Sequence, residues 1–483
     1  MSQNKVELFP HLTHEVVSDI TGFKLCSYLV ALEGWRRGLK LTWYKDETDL
    51  CKLDRLKSST QGKFFSLSSN TSTHYFFRSR GDFVSNKSVR ICQNKDKTKE
   101  LLAQKNVPVP IGDIFNPNNE EEIINYCTEI GFPVVLKPLN GSMGKGVFTN
   151  ISNQDELKEI LENIKKLYNY KEYLVEKYYP GKEYRIYVVG DKVVGATNRV
   201  PANVVGDGIH TIKELIDQKN EDRKKNPYLA PKPIKIDFEV KQILKKAGYT
   251  TDTIPSKGEV VYLREKSNLS SGGDPIEATD ELSEGVRQIA VDAFKALPDI
   301  PHGGVDIIVD PVSKDKGVVL EINATAEIGF HLFPLRGKAK DVPGAIIDYY
   351  FPETVGKPRS NFYFDYNSIL EPLSKWATDQ IVVSNPIIGQ VYARKYIVSG
   401  KVQKVGYLTW IRRQALRKNI VGFAKKLENG SVEILAISNT EKVLDDLKEL
   451  CFKGSKKSKV ENVVDEVVTL SNQPIKIGFD LIL

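Results

Sequence analysis

Residues 173–189, YLVEKYYPGKEYRIYVV, decide how the central part of this chain folds. Polar and apolar residues alternate through the second half of the segment, which is typical of a β-strand with one buried face. Because residues two apart face the same side of a strand, we expect Glu183 and Arg185 to project together, with Tyr184 and Ile186 in the core. An acid for ribose hydroxyls and a guanidinium for phosphate can then share one wall, although a surface ion pair is an alternative interpretation.

Two later apolar runs are interrupted by oxygen-bearing side chains. They are residues 304–309, GVDIIV, and residues 318–323, VVLEIN, and they carry Asp306, Glu321 and Asn323. Burying a lone carboxylate is costly unless it is paired or bound to a metal. Mg²⁺ prefers oxygen ligands, usually one or two carboxylates together with substrate phosphates. The sequence therefore predicts a magnesium site on these two strands, against the alternative of solvent-facing polar residues on edge strands.

A glycine-rich loop follows an upstream strand that ends at Lys137. The loop, residues 141–146, reads GSMGKG and returns into Val147 and Phe148. Glycines let backbone amides converge on phosphate oxygens, since they allow positive φ and carry no Cβ. A P-loop is excluded because it needs GxxxxGK[ST] and a following helix. Taken alone, the loop is equally consistent with a plain hairpin turn.

The order of these segments resembles the ATP-grasp superfamily over roughly residues 90–350. Residues 199–216, RVPANVVGDGIHTIKELI, and residues 261–282, VYLREKSNLSSGGDPIEATDEL, are similar to cyanophycin synthetase and to the ATP-grasp half of bifunctional glutathione synthetases. The resemblance implies an ATP site with Mg²⁺, two ions rather than one, and Mn²⁺ as an alternative metal. The nucleotide-contacting residues that we expect are Lys95, Lys137, Gly141, Ser142, Gly144, Gly146, Glu176 and Glu183. The expected metal ligands are Asp306, Glu321 and Asn323, and the expected catalytic side chains are Arg199, Arg185 and Lys137.

An enzyme of this kind moves the γ-phosphoryl group of ATP to a carboxylate, and an amine then displaces phosphate. Lysines, arginines and Mg²⁺ suit that task, because phosphoryl transfer depends mainly on positioning and charge neutralisation. The expected substrates are a small carboxylate and an amine, either amino acids or small peptides. The sequence departs from the relatives at Ala326-Glu327, where they have Pro-Gly, so the substrates themselves cannot be transferred from them. An alternative function is a non-ligating ATP-binding sensor or scaffold.

Two further elements leave alternatives open. His210, in the turn GDGIHT, is either a substrate contact or a solvated loop histidine. The segment Ser270-Ser271-Gly272-Gly273 either binds a substrate carboxylate through its amides or is only a turn.

The C-terminal part has a βαββαβ rhythm, which predicts a ferredoxin-like fold. Its strands are expected at 391–398, 421–426, 432–437 and 460–468, and its helices at 409–418 and 441–451. The turn Glu428-Asn429-Gly430 is expected to join the two central strands, because Asn-Gly is a strong hairpin signal in which both residues have positive φ.

Residues 388–470 resemble an acylphosphatase in the segments VYARKYIVSGKVQKVGYLTWIRRQAL and IVGFAKKLENGSVEI. Leu408 and Lys426 occupy the positions of the family's phosphate-binding arginine and of its asparagine, and Lys404 replaces a loop glycine. The resemblance therefore implies a non-catalytic descendant. It disfavours a third function, acyl-phosphate hydrolysis.

Composition sets the broad limits. The chain has 483 residues, 41% hydrophobic content and a formal charge of +7, with 16 Lys and Arg against 9 Asp and Glu in residues 391–470. A basic surface can attract phosphates or acidic partners, but a solvated lysine-rich face is the simpler interpretation. We expect a cytoplasmic protein without a membrane segment, with reduced cysteines, no nucleic-acid partner, and an oligomeric state that stays open.

The pattern along the chain indicates an α/β lead-in domain (1–92), an ATP-grasp domain (93–352), a connector (353–387), the acylphosphatase-like domain (388–470) and a tail (471–483). The expected fold class is therefore mixed, α/β in the first two domains and α+β in the third.

Overall fold

The N-terminal part of the chain is built around one helix that is buried along most of its length. The computed structural model describes residues 6–45, 50–55, 58–139, 146–167, 170–470 and 473–482. Within it the helix Gly22–Arg36 ends just before Gly38, whose φ is 88°. The Gly38 amide donates to the Trp35 carbonyl at 2.8 Å, which closes the last turn in a conformation that favours glycine.

Five strands form the N-terminal sheet beside this helix. Their order is Gln380–Val382, Lys40–Tyr44, Phe64–Ser68, Thr73–Phe77 and Arg80–Gly81. The edge strand Gln380–Val382 comes from the segment expected to be a connector, and it pairs antiparallel with Lys40–Tyr44. Part of that segment therefore completes the N-terminal sheet, while the domain boundaries themselves stay a prediction.

Two sheets make up the central part. The small sheet has the order Gly112–Phe115, Tyr173–Lys177, Val134–Pro138 and Phe148–Ile151, with helices Glu120–Ile130 and Gln154–Leu167. The large sheet has the order Asp274–Glu277, Lys192–Val200, Lys182–Val189, His302–Val309 and Gly317–Asn323. Helices Asn86–Gln93, Lys95–Gln104 and Glu284–Lys295 contribute to the core beneath the large sheet.

Strand alternation decides which face of the large sheet is apolar. Tyr184, Ile186, Val305 and Ile307 are buried in the core that the sheet shares with helix Glu284–Lys295. Arg185, between Tyr184 and Ile186, consequently projects from the opposite face. The prediction for this strand is confirmed.

Residues 201–265 form a small excursion from the large sheet. It contains the two-stranded ribbon Asn203–Val205 and Val260–Tyr262 and the helices Ile212–Lys224 and Phe238–Lys246. Thr211 and Glu214 form a reciprocal capping box at the first helix, which fixes where it starts.

The C-terminal unit confirms the ferredoxin-like prediction. Its sheet order is Lys459–Val467, Tyr392–Lys401, Val432–Ser438 and Val421–Lys426, with helices Tyr407–Arg417 and Glu441–Lys453. A fifth strand, Phe479–Ile482, lies parallel to Val421–Lys426 and places Phe479 in the core of the unit. Residues that the sequence pattern indicates as a tail therefore extend this sheet.

The turn at Asn429-Gly430 differs from the expectation. Gly430 has a φ of 84°, whereas Asn429 does not have positive φ. The Gly430 amide donates to Leu427 O at 3.0 Å, and Leu427 N donates to Ser431 O at 2.9 Å. The predicted hairpin between the two central strands is confirmed, but glycine holds the single left-handed position, so the expectation of positive φ at both residues was wrong.

The remaining helices join the units. They are His14–Val17, Gly329–Leu332, Val342–Tyr350 and Tyr366–Ser374, and most of their buried residues share one core with helix Gly22–Arg36. A short parallel pair, Phe362–Tyr363 with Ile475–Lys476, lies near the start of the C-terminal tail. None of the helices in the described ranges has the length and apolarity to cross a bilayer.

Candidate active site

Four adjacent strands of the large sheet bring the predicted polar residues into one row. Asp306 is directly opposite Arg185 on one neighbouring strand and opposite Glu321 on the other. Arg185 Nη2 donates to Asp306 Oδ2 at 2.7 Å, and its Nε donates to Oδ1 of the same carboxylate. Arg199 Nη2, from the next strand, reaches Asp306 Oδ2 at 2.8 Å. Two arginines from different strands thus converge on one buried carboxylate.

Further carboxylates flank this centre on both sides. Glu183 accepts hydrogen bonds from Arg199 and from the Ser267 hydroxyl. Glu321 Oε1 accepts from Asn323 Nδ2 at 3.0 Å and from Arg185 Nη2 at 3.5 Å. The contact between Glu321 and Asn323 confirms that they share a face.

The electrostatics follow from this arrangement. Burial raises the pKa of Asp306, but the guanidinium groups of Arg185 and Arg199 outweigh it and hold that pKa well below its usual range. The pKa of Arg185 is lowered by burial and raised more strongly by Asp306, so it ends above its usual value. Asp306 and Arg185 are therefore both charged at neutral pH, and burial makes their interaction strong.

A cleft lined by lysines opens beside this row. Lys137 Nζ lies 2.6 Å from Glu176 Oε2, and Lys99 Nζ lies 3.7 Å from Glu176 Oε1. Lys95 and Glu321 line the same cleft. Burial lowers the pKa of Lys95, and the neighbouring Lys137 lowers it further, while Glu321 and Glu176 act in the opposite direction. Glu321 therefore faces both the lysine cleft and the row of arginines and carboxylates.

Local structure positions these lysines. Asn94 caps the helix Lys95–Gln104 by accepting from Lys97 N, which fixes Lys95 at its first position. Glu176 lies on the strand beside that of Lys137, and on its other side it is opposite Gly112. A Cβ at Gly112 would lie 2.5 Å from Glu176 Cγ, so this position must be glycine for the glutamate to point into the cleft.

Sequence reasoning missed Lys99 and Ser267. Lys99 follows Lys95 by one helical turn, so both project from one face, and that spacing was a usable signal. Its Nζ also donates to Gly112 O at 3.0 Å. Ser267 carries no such signal, because its contact with Glu183 depends on how a loop returns to the sheet.

The residues present suit Mg²⁺ in their donor chemistry. In the described part of the chain no group of three or more His, Cys, Asp or Glu side chains forms a metal cluster. The predicted set instead combines two carboxylates with an amide, all with oxygen donors. Glu321 Oε2 has no hydrogen-bond partner among the described residues, and the side chain is 37% exposed, so one oxygen is available for a cation.

The remaining predicted elements are the glycine loop, the segment 270–273 and His210. Gly141, Ser142 and Gly144 lie outside the described residues, and Gly146 has a φ of 67°. In the segment 270–273, the amides of residues 271–273 donate to the carbonyls of Asn268 and Leu269, so these three amides form a closed turn and are not free for a carboxylate. His210 forms a local pair with Asp207 at 2.6 Å and is part of an exposed loop.

Residues 92–207 match the RimK-like ATP-grasp domain, and residues 394–479 match acylphosphatase. Residues 92–207 of this chain are therefore similar to an ATP-grasp domain. Together with the lysine cleft and the row of arginines and carboxylates, this confirms the resemblance described above.

Similar proteins extend the comparison beyond the matched domains. The chain is 33% identical over 328 residues to cyanophycin synthetase of Trichormus variabilis, covering 66% of this chain and 34% of that protein. It is 35% identical over 269 residues to the bifunctional glutathione biosynthesis protein of Listeria monocytogenes, covering 55% and 35% of the two chains. The chain thus spans about one third of the length of these curated relatives.

Solved structures give matches for both parts. A bifunctional glutathione synthetase from Pasteurella multocida is 30% identical, with a TM-score of 0.48, over 60% of this chain and 40% of that one. An acylphosphatase from Bacillus subtilis is 27% identical, with a TM-score of 0.18, over 20% of this chain and all of that one.

The acylphosphatase-like unit has neither of the two catalytic side chains expected from its resemblance. Leu408, on helix Tyr407–Arg417, packs against the core of the unit, and Lys426 is exposed at the end of its strand. Lys404 has a φ of 56°, a backbone conformation that a glycine adopts more easily.

Proposed function

We propose that this protein is an ATP-dependent ligase that joins a carboxylate to an amine through an acyl-phosphate intermediate. The observation that carries the proposal is the convergence of Arg185 and Arg199 on Asp306, next to a cleft that contains Lys95 and Lys137. Positive charge concentrated at one end of a nucleotide cleft suits transfer of the terminal phosphoryl group.

In this proposal ATP lies in the lysine cleft of the ATP-grasp domain. Lys95 and Lys137 contact phosphate oxygens, as does the glycine loop with Gly141, Ser142, Gly144 and Gly146. Glu176 and the residues after it border the adenine, and Glu183 accepts from the ribose hydroxyls. Lys99, which shares Glu176 with Lys137, adds a third cation to the cleft.

Asp306, Glu321 and Asn323 would hold Mg²⁺. Two ions are proposed, with Mn²⁺ as a substitute. The metal, when bound, neutralises charge on the outer phosphates and brings the γ-phosphorus into line with the attacking oxygen. Asp306 and Glu321 are opposite each other on adjacent strands, so the sheet holds both in place without help from a loop.

The reaction has two steps. A carboxylate oxygen of the first substrate attacks the γ-phosphorus, the bond to the bridging oxygen breaks, and ADP leaves. The amine nitrogen of the second substrate then attacks the acyl carbon, phosphate leaves, and the amine loses a proton. Arg199 and Arg185 neutralise the charge that develops on the transferred group, so no protein nucleophile is needed.

The names of the relatives, cyanophycin synthetase and a bifunctional glutathione biosynthesis protein, support amino acids or small peptides as the substrates of this chain. We propose that the enzyme works in the cytoplasm, and homo-oligomers are compatible with that location. The C-terminal unit, in this proposal, is a docking or anion-binding module that lacks hydrolase activity.

The proposal is tested by screening ADP release across pairs of amino acids and small peptides, with Mg²⁺ and ATP. The expected products are ADP and inorganic phosphate, and hydroxylamine added with the carboxylate substrate should give a hydroxamate. Stoichiometric AMP and pyrophosphate would contradict the acyl-phosphate route. Tight Mg-ATP binding without turnover on any pair would favour the sensor or scaffold instead.

A further inference from the structure

A second polar cluster lies just after strand Gly317–Asn323, in the segment with Ala326 and Glu327 that departs from the relatives. Glu327 Oε2 accepts hydrogen bonds from the Tyr228 hydroxyl at 2.5 Å and from Lys232 Nζ at 3.1 Å. Lys232 Nζ also lies 3.4 Å from the centroid of the Tyr228 ring. Both contacts use the same carboxylate oxygen, and Glu327 Oε1 has no hydrogen-bond partner among the described residues.

Arg78, from the N-terminal part of the chain, lies close enough to this cluster to interact electrostatically with Glu327. It lies in the turn after strand Thr73–Phe77, is 7% exposed, and stacks on the Phe23 ring at 3.7 Å. Its Nη2 meets the Ser58 hydroxyl, but its Nε has no hydrogen-bond partner in the part of the chain that the structure describes. No carboxylate of the described residues forms an ion pair with it. A buried, unpaired cation is costly, so this arginine indicates an anionic ligand.

A hydrogen bond from a side chain to a backbone carbonyl joins the two parts. The Ser79 hydroxyl donates to Ala326 O at 2.7 Å. Arg78 precedes Ser79 in the chain and Glu327 follows Ala326, so each is adjacent in sequence to one partner of this bond. Burial lowers the pKa of Arg78, and interactions with Cys26 and, more weakly, with Glu327 oppose that shift, so Arg78 and Glu327 are neighbouring groups.

The cluster also adjoins the row of arginines and carboxylates. A Cβ placed on Gly304 would lie 2.8 Å from Ala326 Cβ and 3.0 Å from Arg185 Cδ. Ala326 and Arg185 therefore pack over the same point of the large sheet. A molecule bound at Glu327 would therefore lie close to the proposed site of phosphoryl transfer.

We propose that Arg78, Lys232 and Glu327 form a subsite for a free α-amino acid, one of the two substrates of the ligase proposed above. Arg78 and Lys232 bind its carboxylate, and Glu327 Oε1 accepts from its ammonium group. Two cations beside one carboxylate leave an excess positive charge, which the amino-acid carboxylate neutralises. A simple amine would leave Arg78 unpaired, and a simple anion would leave Glu327 Oε1 without a donor.

The full-length protein tests this by calorimetric binding of the twenty standard amino acids in the absence of ATP. The best binder is then compared with its α-carboxamide and with its desamino acid. Hydrogen bonds to charged groups imply that loss of either group weakens binding about 10- to 100-fold. Lys232→Met and Arg78→Lys should weaken binding of the amino acid by a similar factor but leave the affinity for the α-carboxamide unchanged. Glu327→Gln should weaken binding of the amino acid and leave the affinity for the desamino acid unchanged.

Lys235→Met is the matched control, because Lys235 is an exposed lysine three residues from Lys232. This variant should bind the amino acid as tightly as the wild-type protein does. ATP binding and the far-UV spectrum of each variant show whether it is folded. The proposal fails if no amino acid binds, if the α-carboxamide binds as tightly as the amino acid, or if the folded variants bind like wild type. Since this binding needs no turnover, absence of ADP release would contradict only the proposed ligase activity.

Discussion

Replacing Glu321 by alanine should separate the proposed metal site from the fold. The side chain is 37% exposed, and its ion pair with Arg185 is long, at 3.5 Å. Pairs of this kind contribute about 0–1 kcal/mol, so the free energy of unfolding should change by no more than about 1 kcal/mol. Asp306→Asn gives the contrast: it leaves Arg185 and Arg199 buried against a neutral amide, which should cost about 3–5 kcal/mol.

The effect of Glu321→Ala on turnover should be much larger. The variant removes a proposed metal ligand, and loss of one group that stabilises transition-state charge typically lowers the rate about 10²- to 10³-fold. The Mg²⁺ concentration that gives half-maximal ADP release should also rise, because fewer oxygens hold the ion.

The assay is ADP release over a range of Mg²⁺ concentrations, combined with urea unfolding of each variant. Glu466→Ala is the control, since Glu466 is an exposed glutamate on a strand of the C-terminal sheet. If Glu321→Ala consumes ATP at the wild-type rate with unchanged Mg²⁺ dependence, the metal assignment is wrong. If it unfolds as readily as Asp306→Asn, Glu321 has a structural role that its contacts do not indicate.

Four further outcomes are expected. Arg199→Ala should lower turnover about 10²- to 10³-fold while ATP binding by calorimetry changes far less, and equal losses would contradict a role in the transition state. Because Arg185 and Arg199 keep the pKa of Asp306 below its usual range despite burial, this carboxylate should stabilise the fold fully above pH of about 4. That contribution should disappear in urea unfolding as the pH falls further, and Asp306→Asn should lack this dependence. Phe479→Ala should destabilise the C-terminal unit by about 3–5 kcal/mol in the same measurement, and an unchanged midpoint would show that the last strand is dispensable. The wild-type protein should not hydrolyse benzoyl phosphate, since Leu408 and Lys426 replace the expected catalytic pair, and turnover typical of an acylphosphatase would refute this.

The sequence by itself determined the features that depend on local pattern. Period-two alternation placed Glu183 and Arg185 on one face of a strand and Tyr184 and Ile186 in the core, because successive strand residues point to opposite faces. The rhythm of short strands and helices likewise predicted the ferredoxin-like unit, with its elements within a few residues of their observed bounds.

Only the tertiary structure decided which of these residues meet. The pairing of Arg185 with Asp306 depends on the register of two strands far apart in the chain, and local alternation does not specify register. The short strands Gln380–Val382 and Phe479–Ile482 were missed because their pairing is set by long-range packing. Arg78 lies near Glu327 for the same reason. The Ser79 hydroxyl binds the Ala326 carbonyl just after strand Gly317–Asn323, and Arg78 is buried there without an ion-pair partner among the described residues.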